Sequence, residues 1–319
     1  MEAIVYEEFG GPEVLRLTWV DDVHPGPGQI RVAVRAAGVN PVDHKIRNGW
    51  MEAAFPTPLP ATPGSEFAGV VDETGEGVTG PAVGDEVLGR SVTGAYAAYV
   101  LADAGAVAPR PEGLGWEEAA ALPVATATAA RVLDELAVAE GDTLLLHGAA
   151  GAVGSAAVQL ATARGATVVG TASPANHDYL RVLGAVPVAY GQGLVERVRA
   201  AVPQGVDAVF DAAGKGALAD SVELRGGTDR VVTIADADAA KYGVAFSAGG
   251  GASAYEGERL AEYAAMAAVG ELRIPVAQTF ALRDAARAQE LSEAGHVRGK
   301  LVLLPGLPGE RPDTGRRLP

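Results

Sequence analysis

The chain has no cysteine and only four lysines, and aromatic residues fill 5% of its 319 positions. Without cysteine there is no disulfide, no thiol nucleophile and no thiolate to hold a metal. Positive charge is scarce as well: 25 basic against 40 acidic residues leave a formal net charge of −15. A nucleic acid or an anionic membrane surface needs a basic face, so neither is an expected partner. No hydrophobic run reaches the length that crosses a bilayer. The start, Met1–Gly10, is acidic and alternating, unlike a targeting peptide, so a cytoplasmic protein is expected. What abounds is small and apolar: 42 glycines, within a chain that is 48% hydrophobic and long enough for two domains.

The most informative stretch is Thr143–Ala161. An apolar strand (Thr143–His147) runs into a glycine-rich turn (Gly148–Gly154) and then a helix from Ser155 onward, with a second strand at Ala166–Thr171. This is the spacing of a βαβ unit. Glycines at 151 and 154 allow a tight turn and leave room for a pyrophosphate over the first helical amides, so Gly151, Ala152, Val153 and Gly154 are the expected phosphate cradle. Against G-x-G-x-x-G, Ala149 takes the first glycine's place and an extra glycine stands at 148. The alternative is a plain strand–helix turn.

Residues 1–120 read as β-rich, with strands at Ala3–Tyr6, Leu15–Val20, Ile30–Ala36 and Tyr96–Leu101 between turn clusters such as Gly10-Gly11-Pro12. Pro41 opens a short helix that Asn40 can cap. From residue 117 the style changes. Helical runs at Glu117–Leu122 and Ala125–Leu136 flank Pro123, and strands then alternate with helices from Thr143 to Ile234. That alternation demands a parallel sheet with helical crossovers. A helix at Gly257–Val269 and a strand–helix–strand unit (Val276–Phe280, Leu282–Ala294, Leu301–Leu304) follow. The tail Pro305–Pro319 reads as frayed.

Cofactor choice turns on the end of the second strand of the alternating region. An NAD site there usually carries Asp or Glu for the ribose hydroxyls. The sequence instead reads Thr171-Ala172-Ser173-Pro174-Ala175-Asn176-His177, with no acid until Asp178. Ser173 and Asn176 can donate to a 2′-phosphate and Tyr190 can close over it, so NADPH is the expected cofactor; Ser173 is equally suited to cap a helix. Ile234, ending the strand Arg230–Ile234, counts among the cofactor's neighbours. Phe246–Gly251 reads as a loop over the nicotinamide or a plain linker. Lys300 is expected to reach a cofactor phosphate or a carboxylate across the cleft. No metal is expected, because the five histidines show no pairing and a zinc set would need Asp43, Glu66 and a distant His. Glu66 reads as a structural hydrogen-bond acceptor.

Several stretches together resemble the zinc-independent branch of the medium-chain dehydrogenase/reductase superfamily, the quinone oxidoreductase-like enzymes. They are Asn40-Pro41-Val42-Asp43, Pro63–Gly69, Leu122-Pro123 with Thr128-Ala129, Gly148–Gly154, Leu183-Gly184-Ala185, Phe210-Asp211 and Gly295–Leu303. The resemblance implies an α/β protein. Residues 1–122, completed by 270–319, would form a GroES-like, partly open β-barrel catalytic domain, and 123–269 a doubly wound Rossmann domain binding NADP. It places Asn40, Asp43, His44, Lys45 and Arg47 at the nicotinamide end of the cleft, Thr128 near the nicotinamide ribose, and Asn176 or His177 where many relatives carry a lysine. For Asn40 and Asp43 a helix-capping role stands beside the catalytic one, and for Lys45 and Arg47 a solvated position. The expected activity is NADPH-dependent hydride transfer to a quinone or α,β-unsaturated carbonyl acceptor by a homodimer. Asn40 and Lys45 would stabilise the oxyanion, and Asp43 would orient Asn40 or the substrate. Reduction of a carbonyl or an enoyl thioester, and cofactor binding with little turnover, are the alternatives.

Overall fold

The computed structural model describes residues 1–53, 56–249 and 256–306. A short antiparallel pair, β1 (Glu2–Val5) and β2 (Arg16–Trp19), precedes the long strand β3 (Gln29–Val39). The alternation of Ile30, Val32 and Val34 turns one face of β3 into an apolar interior. Helix α1 (Pro41–Arg47) follows, then β4 (Glu66–Thr74), β5 (Glu86–Arg90), β6 (Tyr99–Asp103) and β7 (Val107–Pro109). These strands curl into one sheet in the order β3-β4-β5-β7, with β6 on β3. Tyr96 and Ala97, read as the start of β6, lie just before it.

Helices α2 (Trp116–Ala121) and α3 (Pro123–Glu135) lead into the second half. Pro123 starts α3 because a first-turn residue needs no backbone donor. Next come β8 (Thr143–His147), α4 (Ala152–Ala163), β9 (Thr167–Ala172), α5 (His177–Val182), β10 (Val186–Ala189), α6 (Leu194–Ala201), β11 (Ala208–Asp211), α7 (Leu218–Arg225), β12 (Val231–Thr233), α8 (Ala239–Tyr242) and β13 (Ala245–Phe246). The six strands form a parallel sheet in the order β10-β9-β8-β11-β12-β13. This is the α/β architecture expected, a barrel-like sheet joined to a doubly wound one. The order reverses between β8 and β11, so the crevice at their carboxyl ends is where a ligand is received.

After α9 (Glu256–Ala268), strand β14 (Val276–Ala281), helix α10 (Ala285–Ala294) and strand β15 (Lys300–Leu304) return to the first sheet, where β15 pairs antiparallel with β3. One apolar cluster runs through both halves, from Ala36 and Leu88 through α2 and α3 to Leu146 and Ala157. Two details differ from the sequence reading. Helix α4 begins at Ala152 rather than Ser155, because Gly151 is already extended and caps it (φ −73°, ψ 176°). Helix α7 has no counterpart in that reading, its eight residues being short and polar. Residues 307–319 of the tail, and Gly250 and Gly251 of the loop after Phe246, lie outside the described residues.

Candidate active site

A cavity of about 1340 Å³ lies between the two sheets. Its floor is the turn after β8. Gly148 adopts φ +73°, a left-handed conformation that favours glycine. At Gly154 a Cβ would fall 2.2 Å from the Gly148 carbonyl oxygen, so only glycine lets α4 sit this close to the turn. At Gly151 the nearest atom to such a Cβ is 3.5 Å away, so the side facing the cavity is open. The amides of Val153 and Gly154 have no backbone or side-chain partner among the described residues, that of Ala152 lies in the bridge to Gly299, and Gly151 through Gly154 line the cavity. Unspent N–H groups at the positive end of a twelve-residue helix are the donors a pyrophosphate requires. The residues present fit a dinucleotide.

Beyond β9 the wall is Ser173, Asn176 and Tyr190. The Asn176 amide donates to Ser173 Oγ at 3.2 Å, which leaves the serine hydroxyl hydrogen unspent. Tyr190 is 54% exposed. No carboxylate of the described residues lines this end; the lining contains one acid, Asp220, on α7. His177 is not among the cavity's lining residues; it is the first residue of α5, and its Nε2 is buried without a partner among the described residues. Thr128, Ile234 and Phe246 line the cavity. The Thr126 hydroxyl is spent on the Leu122 carbonyl at 2.9 Å, whereas that of Thr128 has no side-chain bond among the described residues.

On the opposite wall stands α1, whose two faces separate the expected residues. Val42, Lys45 and Ile46 line the cavity, whereas Asp43, His44 and Arg47 are buried on the other face. Of the five polar residues expected at the nicotinamide end of the cleft, Asn40 and Lys45 line the cavity and Asp43, His44 and Arg47 do not. Asp43 Oδ2 accepts from the Asn40 backbone N–H and from the Tyr96 hydroxyl, both at 2.8 Å. It caps α1 from its first turn, while Asn40's side chain makes no capping bond. Burial raises the Asp43 carboxyl to about 6 and holds the Tyr96 hydroxyl well above its ordinary value. Arg47 is fully buried rather than solvated, donating to Gly10 O, Gln289 Oε1, Asn48 Oδ1 and Glu293 Oε2. His44 is also buried, which lowers its pKa.

Asn40, 5% exposed, is fixed from both sides. Lys300 Nζ donates to its Oδ1 at 2.6 Å, and its own Nδ2 donates to Glu66 Oε1 at 2.7 Å. Lys300 and Glu66 form a buried ion pair. Glu66 Oε2 also accepts from Val124 N at 2.7 Å, so one carboxylate ties the barrel, the start of α3 and the returning strand β15. Of the partners expected for Lys300, the carboxylate is the one present. With Oδ1 directed at an ammonium, the amide cannot flip, and one N–H of Nδ2 is left over beside the cavity.

The sequence reading missed His147, Lys215 and Asp220, which also line the cavity. His147 shares Nδ1 with Thr171 Oγ1 (3.2 Å) and Nε2 with Ser221 Oγ (3.0 Å), and burial lowers its pKa. Asp211 Oδ1 accepts from the amides of Ala213 and Gly214, and Oδ2 from Thr233 Oγ1, which shapes the loop that carries Lys215. A signal for Lys215 was present: a lysine between two glycines just past a parallel strand's carboxyl end. Among the described residues no three His, Cys, Asp or Glu stand together as a metal's ligand set.

Residues 26–112 match the family described as Alcohol dehydrogenase GroES-like domain, and residues 183–303 the family described as Zinc-binding dehydrogenase. The quinone oxidoreductase of Rattus norvegicus is 36% identical over 73% of this chain and 73% of its own length. The Pikromycin polyketide synthase component PikAII of Streptomyces venezuelae is 40% identical over 87% of this chain, but the chain spans only 8% of that much longer protein. The Escherichia coli quinone oxidoreductase complexed with NADPH superposes with a TM-score of 0.85 at 27% identity, covering 96% of this chain and 100% of the other. The ordered cradle, the paired sheets and these relatives agree: the chain belongs to the medium-chain dehydrogenase/reductase superfamily, in its quinone oxidoreductase-like, nicotinamide-dependent branch.

Proposed function

We propose that the protein uses NADPH to reduce a quinone or an α,β-unsaturated carbonyl, and does so without a metal. The observation that carries the reading is the locked Asn40 amide, an oriented donor on the wall opposite the dinucleotide cradle. The reduced nicotinamide, when bound, supplies the hydride. The chain's residues do the rest. The amides of Val153 and Gly154 bind the pyrophosphate. Ser173, Asn176 and Tyr190 receive the 2′-phosphate, where no carboxylate repels it. Thr128, Ile234 and Phe246 border the nucleoside, and His177 has no part in it. Hydride addition leaves negative charge on the acceptor's oxygen, and Asn40 Nδ2–H donates to it, with Lys45 adding positive charge nearby. Asp43 acts on the backbone of Asn40 and not on the acceptor. The final proton comes from water, since a quinol or enolate needs no placed acid. Metal independence rests on the donor chemistry: no cysteine, and a Glu66 already committed to Lys300 and Asn40.

The likeness to a polyketide synthase component favours a second reading, an unsaturated thioester as acceptor. Steady-state turnover on quinones, enones and unsaturated thioesters separates the two. NADPH oxidation by at least one quinone or enone, undiminished after exhaustive chelation, is expected. Turnover on thioesters alone favours the second reading, and no oxidation by any acceptor overturns both.

A further inference from the structure

The protein is strongly acidic, yet its cavity is not. Among the described lining residues six are Lys or Arg (Lys45, Arg90, Arg131, Lys215, Arg259 and Lys300) and one, Asp220, is acidic. Three of the cations are already in ion pairs: Arg131 with Glu135, Arg259 with Asp134 and Lys300 with Glu66. Lys45 and Lys215 are different. Among the described residues neither side chain has a hydrogen bond or an ion pair. They come from opposite walls, Lys45 from α1 and Lys215 from the loop after β11. Burial, and then the charge of Lys215 across the cleft, pull the Lys45 ammonium below its ordinary value. Asp211 opposes this shift only in part: its charge is felt at Lys45, but it is fully buried and its oxygens are bonded to Ala213, Gly214 and Thr233, so it makes no ion pair with either lysine. Asp220 faces the cavity, and its charge is felt at His147. Two ammonium groups on one cavity, neither in an ion pair and one of them half-buried, repel each other and favour an anion between them. The dinucleotide's pyrophosphate does not answer them, since it has its own seat at the start of α4.

We propose that Lys45 and Lys215 form a subsite for a permanent anionic group, a carboxylate or a phosphate, on the acceptor. This rests on the reductase reading and narrows its substrate class: the acceptor is an acidic enone, quinone or thioester rather than a neutral one. The anion sits between the two walls and bridges them, so the two lysines select the acceptor while Asn40 meets the oxygen that gains charge. A positive cleft in an acidic protein also concentrates anionic ligands at its mouth, and this contribution fades with salt.

The test uses matched acceptors on the full chain with NADPH: benzylideneacetone against its para-carboxylate, and crotonyl-pantetheine against crotonyl-4′-phosphopantetheine. The first pair reads a carboxylate and the second a phosphate. At low salt, kcat/KM for the anionic member of at least one pair is expected to exceed that of the neutral member by about 10- to 100-fold, the scale of one charge-assisted contact. Raising salt to about 0.5 M should cut that ratio several-fold. Lys215→Met, at an exposed position, should lower the ratio about tenfold through KM; Lys45→Met should lower the ratio as well, together with a fall in kcat on both members of each pair, because Lys45 also adds charge near the oxyanion. Neutral acceptors turned over with ratios near one in both pairs would overturn the subsite and leave the reductase reading intact. A high ratio that survives both substitutions would also overturn it. Failure of all four acceptors, with quinones also inert, would remove the reading on which the subsite rests.

Discussion

Replacing Lys300 by methionine tests how much the Lys300–Glu66–Asn40 cluster stabilises the junction of β4, α1 and the returning strand β15. Glu66 is 0% and Lys300 2% exposed, so the substitution leaves a carboxylate buried with its main counter-charge gone. Breaking a buried pair in this way costs roughly 3–5 kcal/mol. Glu66 keeps the Val124 amide on Oε2 and the Asn40 amide on Oε1, which places the expected loss at the lower end, about 3 kcal/mol. That is a large part of a typical stability of about 5–15 kcal/mol. The double variant Glu66→Gln/Lys300→Met removes both charges and should recover about 2 kcal/mol relative to the sum of the single losses. Urea unfolding followed by fluorescence and by circular dichroism measures all four corners of the cycle. A loss below about 1 kcal/mol in Lys300→Met, or strict additivity in the double variant, would refute the reasoning.

Three further outcomes are expected. The fold raises the Asp43 carboxyl from 3.8 to about 6, so it favours the protonated form. Its contribution to stability is present below pH about 4 and is lost as pH rises through about 6. The stability of wild type minus that of Asp43→Asn should therefore fall by about 3 kcal/mol between pH 4 and 7, and a flat difference in paired urea titrations would contradict it. Ser173→Asp should weaken NADPH binding at least tenfold while sparing NADH, because a carboxylate faces the 2′-phosphate; equal losses for both in calorimetry would remove Ser173 from that role. Among the described residues strand β13 is one edge of the parallel sheet, with Phe246 44% exposed, and such an edge invites pairing with a second copy. Sedimentation at micromolar concentration should show a dimer, and a monomer at every concentration would reject it.

The alternation of strand and helix made the parallel sheet legible, since only a helical crossover returns the chain for another parallel strand. The glycine-rich turn was legible, though not residue by residue: Gly154 answers a close approach, whereas the left-handed position is Gly148, read only as an extra glycine, and Gly151 is ordinary extended backbone. The faces of α1 were written in the chain without being used: positions 42, 45 and 46 repeat at helical spacing and turn to the cavity, while 43, 44 and 47 turn inward. The capping bond of Asp43 to the Asn40 backbone was within reach of local reading, but its second partner, Tyr96, lies 53 residues away, and no local pattern announces that contact or the burial it brings. Glu66 was read as a structural acceptor without knowledge of its donors, which come from α1, α3 and β15. Helix α7 escaped because LADSVELR alternates polar and apolar residues too briefly to show a period.

With NADPH bound, hydride transfer to an acceptor inside this cleft would depend on Asn40, whose amide would meet the acceptor's oxygen. Single-turnover mixing of the NADPH complex with a quinone or enone, followed by the near-ultraviolet absorbance of the reduced nicotinamide, measures it most directly. A rapid decay is expected in wild type and one slowed by roughly 10- to 1000-fold in Asn40→Ala, the scale of losing one oxyanion donor, with NADPH affinity unchanged. An equal rate in the two proteins, or no decay in wild type with any acceptor, would contradict it.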